Sequence, residues 1–375
     1  MPKYAIVHEW FDSYAGSERC VESFNNLYPE ADVFALVNFL SDEELFQILK
    51  GKKPHTSFIQ NLPFARKIFR SMLPLFPYAV EQHDLSAYDI IISSSHAVAK
   101  GILTNSNQLH ISYCHTPMRY AWDLYYQYML EAKLDKGLKA FLVKYILHKI
   151  RIWDIVSSNR VDYFIANSKY VARRIKKIYN RDADVIYPPV DVELFPLHEN
   201  KDDYYLTASR LVSYKKIDVI VKAFSELKNK KLVIIGDGPE LSSLKKIATP
   251  NIEFLGYQSG KSLVAYMQRA KAFVFAADED FGITVVEALS CGTPVIALNY
   301  GGTAETIIHK QNGIHYNHQN EISLRTAIHD FELSIEKFNP NAISLSAQKY
   351  SRTRFEKEIS EYVELKFSSF NNGRA

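Results

Sequence analysis

AFVFAADEDFGITVVEALSCGTPVIALNYGGTAET, Ala272 to Thr306, is the stretch on which the fold turns. Its apolar opening, Ala272 to Ala277, has the length of a strand buried on both faces of a parallel sheet. Three acids, Asp278-Glu279-Asp280, and then Phe281-Gly282 follow, and Val285, Val286 and Leu289 repeat with helical spacing. Cys291-Gly292-Thr293-Pro294 stops that helix, and a second apolar run, Val295 to Leu298, leads to Gly301-Gly302 and a short helical stretch with Glu305. Strand, tight turn and helix N-terminus together offer backbone N–H groups and a positive dipole to a phosphate.

The spacing gives these residues chemical roles. Gly282 and Ile283 stand at the helix entry, where a residue without Cβ lets backbone approach a ligand. Glu287 can accept two hydrogen bonds from a vicinal diol such as a ribose, and Glu279 faces whatever lies beyond the phosphate. Read on its own, the stretch also fits a strand, loop and helix whose acids are merely solvated, since helix N-termini favour acids. Asp278 and Asp280 further read as Asp-x-Asp, a pair able to hold a divalent cation on a diphosphate. Because cationic side chains for a diphosphate exist elsewhere in the chain, no metal and no cofactor are expected.

At 375 residues the chain is long for one core, and two domains are expected. An apolar fraction of 47% with 23% charged residues places it among globular proteins. A net charge of +3 does not by itself call for nucleic acid. Cys20, Cys114 and Cys291 lack metal-site spacing and suit a reducing compartment. The N-terminus shows no signal-peptide pattern and no apolar run reaches membrane-spanning length, so a cytoplasmic location is expected.

Tyr4–His8 predicts an opening strand, and Gly16 precedes Ser17 as the cap of a helix carrying Val21, Phe24 and Leu27. Further strands are predicted at Asp32–Val37, Asp89–Ser93, His110–Cys114 and Asp162–Ala166, with helices between them, giving a doubly wound parallel sheet. The last-but-one strand opens into His115-Thr-Pro-Met-Arg119-Tyr120-Ala-Trp122, where a histidine, an arginine and aromatic rings can line a sugar pocket; a structural histidine is the plainer alternative. Two segments combine cations with large apolar side chains. In Leu62–Tyr78 the cations are Arg66, Lys67 and Arg70, and peripheral attachment to an anionic leaflet is the hypothesis. For Gly137–Val156 a stripe turned to the core is the preferred reading.

Pro188-Pro189 breaks regular structure and marks an interdomain linker. Beyond it, Tyr204–Ala208 restarts a sheet and opens into a loop where Arg210 and Lys215 can converge on one diphosphate. Leu232–Ile235 runs into Gly236-Asp-Gly238-Pro239, another strand and glycine turn.

Glu279-x7-Glu287 with Gly-Thr-Pro-Val and Gly-Gly-x-x-Glu resembles the signature of the retaining family 4 glycosyltransferases, and the resemblance extends from Ile6 to about Asn317. It implies an α/β chain of the GT-B fold, two Rossmann-like doubly wound domains facing across a cleft. The boundaries expected are residues 1–190 for the acceptor-side domain, with a C-terminal helix at 353–375 crossing back, and 191–352 for the nucleotide-sugar domain. It also implies that Arg210 and Lys215 match the family's Arg-x4-Lys pair, that Gly236 and Gly238 match its Gly-x-Gly-Pro, and that His115 falls where the family has a histidine close to the transferred sugar. His115, Arg210, Lys215 and Glu279 are thus the catalytic candidates. Gly16, Gly236, Gly238, Phe281, Gly282, Ile283 and Glu287 are the donor-binding candidates, with Arg119 and Tyr120 on the acceptor side. This chain departs from the family pattern at Ala15, which stands at the first glycine of Gly-Gly-x-Glu, and at Lys216, which replaces a glycine, so a local backbone difference is expected.

The Tyr-x-His-Thr-Pro-x-Arg-Tyr-x-Trp form resembles bacterial O-antigen and exopolysaccharide mannosyltransferases, which points to GDP-mannose as donor and a lipid-linked saccharide as acceptor. A nucleotide-sugar 2-epimerase and a non-catalytic nucleotide-sugar-binding protein share the architecture and stay open as alternatives. A dehydrogenase is disfavoured because no Gly-x-Gly-x-x-Gly follows the first strand.

Overall fold

The computed structural model describes residues 2–134 and 136–373. The chain folds into two compact units, Met1–Tyr187 with Phe355–Ala375, and Pro188–Arg354. In the first, β1 (Tyr4–His8), β2 (Asp32–Ala35), β3 (His55–Thr56), β4 (Ile90–Ser95), β5 (Leu109–Cys114), β6 (Tyr163–Ala166) and β7 (Ala183–Val185) form one sheet in the order β3-β2-β1-β4-β5-β6-β7. Every pairing in it is parallel. The second holds β8 (Tyr205–Ala208), β9 (Leu232–Ile235), β10 (Ile252–Gly256), β11 (Ala272–Phe275), β12 (Val295–Leu298) and β13 (Gly313–Tyr316), in the order β10-β9-β8-β11-β12-β13 and again parallel. Both are doubly wound, and in each the strand order reverses beside the first strand, between β1 and β4 and between β8 and β11.

Alternation of side chains along the strands explains why the first sheet is covered on both faces. Ile6, Ile90 and Ile92 point into one apolar cluster, and Ala5, Val7 and Ile91 into the other. The helix Gly16–Leu27 covers the first face with Val21 and Phe24, joined by Phe355, Ile359 and Val363 of the C-terminal helix Arg352–Asn372. The Phe355 ring lies 5.8 Å from that of Phe24 and 5.6 Å from that of Tyr113. In the second unit Val190 N–H donates to Tyr350 O (2.9 Å), and Arg352 forks onto Asp191 at 2.6 and 3.1 Å.

Two local expectations are corrected, the Ser17 cap and the Gly137–Val156 core stripe. The first helix begins at Gly16 with Ala15 as its N-cap, so Ser17 sits inside the first turn. Ala15 has an extended backbone (φ −135°) that any residue adopts, which is why alanine is tolerated there. Lys216 adopts the left-handed conformation (φ 55°, ψ 36°) that glycine takes most readily, so this chain holds a left-handed turn without its glycine. The Gly137–Val156 stripe does not turn wholly to the core. In the helix Gly137–Ser158, Ala140, Leu147 and Ile150 are buried, whereas Leu138, Phe141, Leu142 and Tyr145 are exposed. Among the described residues no helix is long and apolar enough to cross a membrane.

Candidate active site

Four loops leave the carboxyl ends of neighbouring strands β9, β8, β11 and β12, and main-chain contacts clamp them in two pairs. Leu211 N–H donates to Asp237 O (2.9 Å) and Glu240 N–H donates to Leu211 O (3.0 Å), so the loops after β8 and β9 run side by side. A Cβ on Gly236 would lie 1.8 Å from Ser209 O, which leaves glycine as the residue able to sit there. On the other side of the switch point Gly302 N–H donates to Glu279 O (2.8 Å), and a Cβ on Gly302 would meet Phe281 Cα at 2.3 Å. The Gly301-Gly302 turn is therefore the brace of the acidic loop.

Across the switch point itself, Lys215 Nζ forms an ion pair with Glu279 Oε1, each side chain 17% exposed. That exposure is low enough to strengthen the attraction and high enough for a ligand to reach both partners. Arg210 lies exposed on the same loop as Lys215. Gly282, in the left-handed region, caps the helix Ile283–Ser290, on which Glu287 is buried to 5% exposure. The structure thus joins Lys215 directly to Glu279 and sets Arg210, Gly236, Gly238, Gly282, Ile283 and Glu287 on the connected loops and helix. Phe281 is different: the residue is 3% exposed and its ring stands edge-on to that of Tyr350 at 5.4 Å, which gives the ring a packing role. Among the described residues no group of three or more His, Cys, Asp or Glu side chains is arranged to hold a metal ion.

The first unit treats the same position differently. Glu9, at the end of β1, is fully buried and turns its carboxylate into the turn after β4. There it accepts N–H groups from His96 (2.9 Å), Ala97 (2.7 Å), Val98 (2.9 Å) and Ala99 (3.1 Å), with the Ser95 hydroxyl at 3.1 Å. Burial pushes this carboxyl up, but the neighbouring His96 and the backbone donors outweigh burial and hold it below the usual carboxylate range. In the first unit a side chain of the protein itself therefore occupies the backbone donors of this turn, whereas at the switch point of the second unit Glu279 is paired with Lys215.

His115 follows β5 and bonds through Nε2 to Ser94 Oγ (2.8 Å), with its ring 5.2 Å from that of Tyr113. Burial drives its pKa well below the usual imidazole value, so it is neutral at pH 7. Gly16, at the first turn of its helix, lies close in sequence to Glu18, which belongs to the same polar cluster. Arg119 and Tyr120 lie in the turn that follows; Tyr120 packs against the apolar cluster with Trp122 and Trp153, which gives its ring a structural use. Sequence reasoning missed His8, Glu9, Glu18, Ser94 and His96. The available signal was polar residues at the carboxyl ends of otherwise apolar strands, His8-Glu9 at the end of β1 and Ser93-Ser94-Ser95-His96 at the end of β4.

Comparison with known proteins names the class to which this fold belongs. Residues 28–194 match Glycosyltransferase Family 4, and residues 193–342 match Glycosyl transferases group 1. An N-acetyl-alpha-D-glucosaminyl L-malate synthase of Bacillus anthracis is 25% identical over 49% of this chain and 53% of its own. A GDP-mannose-dependent alpha-(1-6)-phosphatidylinositol monomannoside mannosyltransferase of Mycobacterium tuberculosis is 33% identical over 28% of this chain and 32% of its own. The matched stretch spans about half or less of each of these relatives. In solved structures, the Anabaena protein HepE in complex with UDP and glucose superposes with a TM-score of 0.70 at 17% identity, over 97% of this chain and 100% of its own. Sucrose-phosphate synthase from Thermosynechococcus elongatus gives 0.70 at 14% identity, over 98% and 100%. The chain belongs to the family 4 glycosyltransferases and has the GT-B fold.

Proposed function

We propose that this chain is a retaining, metal-independent glycosyltransferase that moves a hexose from a nucleotide sugar, GDP-mannose first among donors, to a lipid-linked or growing polysaccharide acceptor in cell-surface glycan synthesis. The observation that carries this reading is the Lys215–Glu279 pair standing across the switch point of the second unit, between loops clamped by Gly236 and Gly302. Lys215 and Arg210 neutralise charge on the departing diphosphate, Glu287 takes the ribose diol, and Glu279 takes sugar hydroxyls once the phosphate draws Lys215 away from it. Sugar leaves and the acceptor attacks on the same face, with the leaving phosphate oxygen taking the acceptor's proton. His115 contributes a neutral imidazole to the sugar.

Peripheral membrane attachment belongs to the same proposal. Phe64, Ile68, Leu75 and Tyr78 are exposed beside Arg66 and Lys67, while Arg70 is already paired with Asp12. The exposed apolar side chains of the helix Gly137–Ser158 extend the apolar surface of this unit. Replacing Arg66 and Lys67 by glutamine is expected to release the protein from anionic vesicles, read by sedimentation; unchanged binding removes this part.

A panel of GDP- and UDP-sugars, assayed for nucleotide release with and without lipid-linked acceptors, tests the function. Acceptor-dependent release with the anomeric configuration kept is the expected result; isomerisation without an acceptor would favour an epimerase. Turnover is expected to survive EDTA, and loss restored by manganese would transfer the diphosphate to Asp278 and Asp280.

A further inference from the structure

The polar cluster beside His115 is a chain of three hydrogen bonds whose direction follows from the Glu18 carboxylate once His8 is in its neutral form. Glu18 Oε1 lies 3.3 Å from His8 Nε2, His8 Nδ1 lies 3.1 Å from Ser94 Oγ, and Ser94 Oγ lies 2.8 Å from His115 Nε2. Glu18, His8 and Ser94 are all buried to 3% exposure or less. The other carboxylate oxygen of Glu18 accepts Ala15 N–H and the Ser17 hydroxyl, both at 3.0 Å. Burial pushes the Glu18 carboxyl up, but the His8 bond and the surrounding donors hold it below the usual range, so Glu18 is an acceptor only.

From that end the hydrogens can be placed. In its neutral form, an imidazole that meets the carboxylate with a hydrogen on Nε2 accepts at Nδ1, and this is the form the relay requires of His8. Ser94 has one hydroxyl hydrogen, and His8 takes it. Ser94 can therefore only accept from His115, whose hydrogen sits on Nε2. His115 Nδ1 keeps its lone pair and makes no hydrogen bond among the described residues.

We propose that Glu18, His8 and Ser94 are positioning residues that hold His115 as its Nε2–H tautomer and so present Nδ1 as a hydrogen-bond acceptor to a sugar hydroxyl. This rests on the glycosyltransferase reading for the hydroxyl, but not for the tautomer. The relay also works in reverse. In Glu18→Gln the Ala15 and Ser17 donors keep the amide oxygen and turn the NH2 group to His8 Nε2. His8 then carries its hydrogen on Nδ1 and donates to Ser94, Ser94 donates to His115 Nε2, and the His115 hydrogen moves to Nδ1.

Long-range ¹H–¹⁵N spectra of the full chain with ¹⁵N-labelled histidine read this directly, with His115 assigned from a His115→Gln sample. The wild type is expected to show His115 protonated at Nε2, Glu18→Gln to show it protonated at Nδ1, and Glu18→Gln with Ser94→Ala to lose that reversal. The reversal is expected to lower kcat roughly 10²-fold with donor KM unchanged. Wild-type His115 protonated at Nδ1, or no change in Glu18→Gln, would overturn the relay, whether or not sugar transfer is found. A tautomer reversal with unchanged kcat would overturn its positioning role.

Discussion

The two sheets use one strand order and put opposite things at the point where it reverses. Beside β1, the buried Glu9 carboxylate saturates the N–H groups of residues 96–99. Beside β8, Lys215 and Glu279 form a pair that is reachable from solvent. A doubly wound sheet supplies an anion seat at its switch point as a consequence of geometry. Whether that seat becomes a binding site depends on whether the chain fills it with its own acid. The first unit does so with Glu9, and beside it His8, Ser94 and His115 are joined to one another by hydrogen bonds.

Breaking the filled seat is expected to have the largest effect. Glu9→Ala leaves buried donors without a partner and should cost roughly 3–5 kcal/mol of unfolding free energy, measured by urea denaturation, with part recovered in acetate. Denaturation like the wild type's would refute the idea that Glu9 holds this turn. In the second unit the loss should appear in turnover instead. Lys215→Ala is expected to lower kcat about 10²-fold or more, while stability changes by less than about 1 kcal/mol because the pair is partly open. Near-wild-type turnover would remove Lys215 from the chemistry.

Two smaller effects sharpen the contrast between the ends of the second sheet. Lys216→Gly relieves a left-handed lysine and should stabilise the chain by about 1 kcal/mol in the same denaturation experiment. At the amino ends of the strands, Glu332 joins Lys230 (2.8 Å), Lys271 (3.0 Å) and Tyr205. Burial pushes its carboxyl up, but hydrogen bonds from Lys230, Tyr205 and Lys271 hold it down at about 2. Because the folded value is depressed, this stability is present above the ordinary range near ~4.3 and is lost as pH falls towards the folded value. Glu332→Gln should therefore flatten the acid side of the stability profile and leave turnover unchanged; an unaltered acid limb would show that the cluster carries no linkage.

Much of the second unit's site is local in sequence, and that is why it can be read without coordinates. Glu279, Gly282 and Glu287 sit on one strand-turn-helix, and a run such as Ala272–Phe275 declares itself by length and apolarity. The short edge strands β3 and β7 escaped notice because two or three half-exposed residues carry no period. Phe281 and Tyr120 look like ligand contacts in sequence, yet Tyr350 packs on the Phe281 ring from a distant position and Tyr120 packs against the apolar cluster of the first unit.

The amino-acid sequence alone determined the parallel doubly wound class, the family, and the acids, cations and glycines of the second unit, because each depends on neighbours within one strand-loop-helix. The tertiary structure alone decided that Glu9 fills the first switch point and that Glu18 reaches His115 through His8 and Ser94. Those contacts join the ends of β1, β4 and β5, separated by more than eighty residues between Glu9 and Ala97. Only the sheet's pairing brings them within hydrogen-bond range, and only burial makes each of those bonds obligatory.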